Sequence, residues 1–221
     1  MTKRTVVPAV SALALIAGLG MAGSAQAGWN GFYIGANVGY GWGDAKQPYG
    51  PIGGALTLTE ADADQDGWIG GAHFGNQWML GSFWVTGFEL EWDYSTVHGD
   101  DGGSGGDVNE VAGNWEAAAL ARLGVLITPR NQLYALGGYG WYNADLNVTD
   151  PGEQESRQET FTGWTWGFGW DRECRNGNMT WGLRYRTTSY DQERVSFPAN
   201  GYDLGTEPKI SEVSFRLSWR L

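Results

Sequence analysis

The stretch that most constrains the fold is the last one, Ser211–Leu221. Val213, Phe215, Leu217, Trp219 and Leu221 share one parity, and Glu212, Ser214, Arg216, Ser218 and Arg220 share the other. Strict period two is a β-strand with two unlike faces. A strand with so long an apolar face templates aggregation when it lies at an open sheet edge. A closed barrel in a bilayer removes that edge, with the apolar parity against lipid and the polar parity in the lumen. A soluble lipocalin-type barrel would reverse the two faces, and alternation alone does not choose between them.

The same alternation recurs seven times upstream, in Phe32–Trp42, Trp68–Trp78, Trp84–Tyr94, Trp115–Ile127, Leu133–Ala144, Thr160–Trp170 and Met179–Tyr190. The faces of Leu133–Ala144, rich in Gly and Tyr, stay unassigned. Segments of about 11 residues match a tilted strand crossing a bilayer. The connections alternate in length. Asp44–Gly67, Thr96–Asn114, Leu146–Glu159 and Gln192–Lys209 are long, whereas Met79–Phe83, Thr128–Gln132 and Asp171–Asn178 are short. Long outer loops and short periplasmic turns around an even number of strands form the outer-membrane barrel pattern, with both termini periplasmic. Trp42, Trp68, Trp78, Trp84, Trp92, Trp115 and Trp170 stand near segment ends, where aromatic girdles form.

The N-terminus places the chain outside the cytoplasm. Lys3 and Arg4, the short apolar run Val10–Gly20 and Ala25-Gln26-Ala27 read as a signal peptide over residues 1–27, cleaved after Ala27. Residues 28–221 then form the barrel domain. Cleavage removes two bases and no acid, taking the net charge from −11 to −13. An acidic chain without a basic stripe is unsuited to nucleic acid. The 36 glycines and 13 tryptophans disfavour a helical domain. The single cysteine, Cys174, excludes an intramolecular disulfide.

Gly28-Trp29-Asn30-Gly31-Phe32-Tyr33-Ile34-Gly35-Ala36-Asn37-Val38-Gly39-Tyr40-Gly41 resembles the first strand of the small porin-like barrels of alphaproteobacteria. These are the outer membrane immunogenic proteins, grouped with the OmpA-like and OmpX-like barrels. The resemblance implies an eight-stranded antiparallel up-and-down transmembrane β-barrel. It also implies a closing strand that ends in an aromatic read by the barrel-insertion machinery. Here the last residue is Leu221, with Trp219 two before it.

Eight strands enclose a lumen that side chains just fill. The inward parities carry Glu89, Glu91, Asp93, Glu116 and Glu212 against Arg122, Arg184, Arg186, Arg216 and Arg220. Buried charges persist only when paired, so a salt-bridged plug is expected, with carboxylate–guanidinium pairs between the third strand and the last two. The alternative is that the same charges line a narrow pore. The loops read as acidic surface: Glu60, Asp62, Asp64, Asp66, Asp100, Asp101, Asp107, Glu110, Asp150, Glu153, Glu155, Glu193, Asp203 and Glu207. Plain solvation accounts for them, and cation bridges to lipopolysaccharide phosphates are the sharper reading. Asp62-Ala63-Asp64-Gln65-Asp66-Gly67 matches the opening of an EF-hand loop, but position twelve is His73 and a strand begins at Trp68. Asp62, Asp64 and Asp66 are thus the only metal candidates, and no metal or cofactor is expected. Neither His73 nor His98 has a neighbouring nucleophile in sequence, so no enzyme is expected. The expected role is structural and surface-exposed. Channel, receptor and adhesin are the alternatives, and the expected state is a monomer in lipid and lipopolysaccharide.

Overall fold

The structure, a computed structural model, describes residues 29–56, 58–100, 108–150, 153–175, 177–198 and 201–221. The signal peptide with its site after Ala27, and the loop acids Asp101 and Asp107, lie outside them. The strands are β1 (Gly31–Pro51), β2 (Leu58–Leu80), β3 (Trp84–Ser95), β4 (His98–Asp100), β5 (Val108–Thr128), β6 (Asn131–Asp150), β7 (Glu153–Glu173), β8 (Met179–Tyr190), β9 (Glu193–Phe197) and β10 (Tyr202–Arg220). All pairings are antiparallel, and β1 pairs with both β2 and β10, so the sheet closes on itself. β4 prolongs β3 between β2 and β5, and β9 prolongs β8 beside β10. The result is an all-β, eight-staved, up-and-down ring.

The short turns lie at the end that holds both described termini. Gly81, with φ of 72°, turns β2 into β3 in a conformation that favours glycine. Trp29 is buried at this end, and its indole Nε1–H donates to Pro129 O at 3.1 Å, in the β5–β6 turn.

The staves are longer than the expected crossings. β1 has 21 residues and β2 has 23. A 21-residue strand rises about 70 Å along its axis, or roughly 50 Å at a 45° tilt, against an apolar band about 25 Å tall. Most of Asp44–Gly67, Leu146–Glu159 and Gln192–Lys209 is therefore sheet rather than loop. The reason is visible in the parity. Along β1 the outward positions Phe32, Ile34, Val38, Tyr40 and Trp42 are exposed and apolar, and then become Asp44 and Lys46. The inward positions change in the opposite sense, from Asn37 to Ala45. β10 does the same, with outward Trp219 to Val213 giving way to Lys209 and Glu207, and inward Arg216 and Glu212 giving way to Ile210 and Leu204.

The alternation thus inverts along each stave. Near the termini the barrel is greasy outside and ionic inside. At the far end it is polar outside and encloses an apolar core that includes Ile69, Val111, Tyr142, Phe161, Tyr190 and Leu204. Tyr142 stacks beside Phe161 and Tyr190 at centroid distances of 6.2 and 5.4 Å. Burying a large apolar side chain of this kind contributes about 1.5–3 kcal/mol. β6 keeps the in–out parity, with Leu133 exposed and Gln132 inward, but its inward Tyr134 and Leu136 join Ala118 and Leu120 of β5 in a second apolar cluster beside the charges.

Candidate functional site: the lumen

Strand pleating aims every second residue of β3 into the barrel, so Glu89, Glu91 and Asp93 form an inward carboxylate column. β8 contributes Arg184 and Arg186 from the opposite wall, and β10 contributes Glu212 and Arg216. Arg184 Nη1 and Nη2 hold Glu91 at 2.5 and 2.7 Å and reach Glu89 at 3.4 Å and Glu212 at 3.0 Å. Arg186 meets Glu91 at 3.2 Å, Glu116 at 3.1 Å, Glu212 at 3.0 Å and Asp93 at 3.9 Å. Arg216 lies 2.6 Å from Glu89. Arg122 pairs with Glu89 at 3.0 Å, and its guanidinium carbon lies 3.8 Å from the Tyr134 ring centroid.

The register explains why Arg186 is needed. Asp93 and Glu116 are directly opposed across β3 and β5, a like-charge pair that is unfavourable on a shared face. Arg186 is opposed to Glu212 on β10 and spans the lumen to both acids.

Nine of the ten residues named from the alternation meet in this cluster. Arg220 does not: it pairs with Glu173 at 3.4 Å, near the terminal mouth, and donates to Gly177 O at 2.9 Å. Asp171, assigned from sequence to the turn Asp171–Asn178, belongs to the cluster instead, 2.6 Å from Arg122. β7 runs through Glu173 before the chain turns, which carries Asp171 and Glu173 onto the inward face. Tyr33 is a further partner that the charge pattern does not name; its hydroxyl donates to Glu89 at 2.7 Å and accepts from Arg122 at 3.0 Å. Only its inward parity on the first strand could have signalled it.

The aspartates of Asp62–Gly67 stand on β2, an extended strand rather than a loop wrapped around an ion. Asp64 and Asp66 face outward, and Asp66 accepts a hydrogen bond from Tyr40 OH. Among the described residues no three acidic, His or Cys side chains converge as a metal site. Asp203, read as a loop acid, is buried. Its carboxylate accepts from Gly53 N–H at 2.9 Å and meets Arg194 at 3.4 Å, tying β9 and β10 to the tip of the β1–β2 hairpin. Hydrogen bonds from Ser196 and from the Gly53 amide hold this carboxyl below the usual carboxylate range.

His73 is buried beside a second set of partners. Its Nε2 is 2.8 Å from Ser218 Oγ and its Nδ1 is 3.3 Å from Asn37 Oδ1. Asn37 Nδ2 donates to Asp93 Oδ1 at 2.6 Å. His98, by contrast, is exposed and contacts Thr96 O at 3.0 Å.

Residues 11–220 match the family model of the outer membrane protein beta-barrel domain. The chain is 31% identical to the 31 kDa outer-membrane immunogenic protein of Brucella melitensis, over 76% of this chain and 73% of that protein. It is 29% identical to a 22 kDa outer membrane protein of Rhizobium leguminosarum, over 80% of this chain and 72% of that one. In fold it is similar to the outer membrane protein OprG of Pseudomonas aeruginosa, with a TM-score of 0.61 at 15% identity, covering 89% of this chain and 99% of that one.

Proposed function

This chain belongs to the outer membrane β-barrel family, and from that premise we propose that it is a closed, structural barrel that stabilises the outer membrane and presents a surface to the outside. The observation that carries the reading is the filled lumen. Four guanidiniums and six carboxylates bridge the walls near the termini. The Tyr142–Phe161–Tyr190 layer packs across the far end. A hydrated ion would have to break several buried pairs and then pass the packed Tyr142, Phe161 and Tyr190 rings. Two barriers of unlike chemistry in series favour a plug over the pore.

On this reading both termini and the short turns face the periplasm. The exposed aromatics Trp78, Trp84 and Trp219 sit at the inner interface, and Trp42, Trp68 and Trp92 at the outer one. The partners are lipid, lipopolysaccharide and, during assembly, the barrel-insertion machinery. The protein acts as a monomer without cofactor, and any host or ligand contact is made at the far end. That the Brucella relative is named for immunogenicity fits a surface-displayed far end.

Planar-bilayer recording tests the reading. The full mature chain should leave the membrane at background conductance. Steady, reproducible single-channel steps from purified protein would reject the plug in favour of a pore.

A further inference from the structure

The ion pairs of this barrel leave three arginines over, and all three stand at one place. Ten arginines follow residue 28. Seven of them meet a carboxylate, four in the lumen and three elsewhere. Arg130, Arg172 and Arg175 are exposed and make no ion pair among the described residues. They lie on the rim at the terminal end, in the β5–β6 turn, near the end of β7 and in the β7–β8 turn. We propose that this rim holds the phosphate of an anionic phospholipid, such as phosphatidylglycerol, in the leaflet at that end. On the orientation proposed above this is the periplasmic leaflet, and only the choice of leaflet rests on that reading.

Pleating sorts the charges. Asp171, Arg172 and Glu173 are consecutive, so the two acids turn inward and the arginine turns out. Asp171 is held by Arg122 and Glu173 by Arg220, so neither carboxylate is left to neutralise the rim. The β5–β6 turn contains no acid. The C-terminal carboxylate belongs to Leu221, whose N–H is bonded to Phe32 O on β1, and β8 and β10 separate β1 from β7. A chain with 25 acids against 14 bases thus carries a patch of uncompensated positive charge at this one rim.

The backbone draws the three together. Glu173 N–H donates to Arg130 O at 2.9 Å, tying the β5–β6 turn to the end of β7. Arg172 is opposed to Asn131, the residue after Arg130. Arg175 follows in a turn closed by Gly177 N–H to Cys174 O at 3.0 Å. Guanidinium forks suit phosphate oxygens, which they meet two at a time.

The surface beside the patch selects an anion with a tail. Arg172 shares the outward face of β7 with Phe168 and Trp170. On β8 it is opposed to Trp181, which meets Trp170 edge-on at 4.9 Å between centroids. Leu133 and Leu183, both exposed, flank Trp170 on the neighbouring staves. Aromatic residues at a strand end, next to apolar ones, mark the border between headgroups and acyl chains. A phosphate held at Arg172 therefore has its acyl chains against Trp170, Leu133 and Leu183. A soluble anion gains nothing from that floor. A zwitterionic headgroup brings an ammonium up to three guanidiniums.

The test uses the full mature chain, folded in neutral detergent micelles doped with phosphatidylglycerol or phosphatidylcholine. Native mass spectrometry counts the lipid retained. Wild type should keep phosphatidylglycerol in preference to phosphatidylcholine. Arg130→Gln, Arg172→Gln and Arg175→Gln together should weaken that retention about 100-fold, since each basic side chain at an anionic surface contributes about fivefold. Where the triple variant fails the heat-modifiable gel shift of a folded barrel, Arg172→Gln alone stands in, with a loss of about fivefold. Lys46→Gln with Lys209→Gln, at the far end, should change nothing. An excess of inorganic phosphate should leave the lipid in place. Equal retention of the two lipids, an unaffected arginine variant or displacement by inorganic phosphate overturns the proposal. Conductance is a separate matter. A conducting barrel that prefers phosphatidylglycerol rejects the plug and keeps the rim, and a silent barrel without the preference does the reverse.

Discussion

Arg184 on β8 reaches across the lumen and holds Glu91 on β3 through both carboxylate oxygens, at 2.5 and 2.7 Å. Both side chains are fully shielded from solvent. A bidentate pair spanning two distant staves fixes their separation as well as their charge. Removing one partner strands the other in a site water does not reach. Glu91→Gln is therefore expected to destabilise the folded barrel by about 3–5 kcal/mol. Urea unfolding in micelles, read by tryptophan fluorescence, measures it. A midpoint within error of wild type would show that the pair contributes nothing.

The two barriers make an unusual prediction about leakage. Arg186→Ala with Glu116→Ala removes ion pairs but leaves Tyr142, the cross-strand neighbour of Glu116, and Phe161 in place. That double variant should remain electrically silent. Conductance should appear only when Phe161→Ser is added. Steps already present in the double variant would mean that the apolar layer is no seal.

The far end should behave as a packed core even though, on the proposed orientation, it stands clear of the bilayer. Phe161 is fully buried there, and Phe161→Ala should cost about 3–5 kcal/mol, as in any well-packed interior. A substitution in a true surface loop stays within about 0.5 kcal/mol. Denaturant midpoints for Phe161→Ala beside Ile52→Ala, at an exposed hairpin-tip position, decide between the two.

Asp203 predicts a pH dependence of known sign. Its folded-state carboxyl sits below the ordinary value because Ser196 and the Gly53 amide bond the charged form. Its contribution is thus intact above about pH 4, the unfolded value, and is lost as pH falls through the folded one. Asp203→Asn should loosen the β1–β2 hairpin tip at neutral pH, seen as faster amide exchange at Gly53 and Gly54, and should abolish further loosening in acid. Equal exchange in both proteins at neutral pH would remove Asp203 as a tie.

Much of this molecule was legible in its residues, and the failures are instructive. The eight staves and the inward charges could be read because aromatic and ionic side chains alternate over Phe32–Trp42, Trp84–Tyr94 and Ser211–Leu221. The far half reads as loop because its outward positions turn polar at Asp44 and Lys209, which looks like an end to alternation. It is alternation of the opposite sense, written in weaker letters: Ala45, Val111, Ala144. Asp171 and Glu173 read as part of the turn because Asp-Arg-Glu-Cys-Arg-Asn-Gly is rich in turn residues. The Ser218–His73–Asn37 chain could not be found as a motif, since its contacts join residues 145 and 36 positions apart. Only barrel closure, which pairs the first strand with the last, brings them together.

On the proposed orientation, the raised wall of sheet has a consequence for whatever meets the cell from outside. An antibody arriving there would grip hydrogen-bonded ladders held in fixed relief, with residues such as Asp44, Asp64 and Lys209 gathered from three staves into one row. Such an epitope exists only while the ring is shut, so sera raised against the intact protein should recognise it poorly once it is boiled.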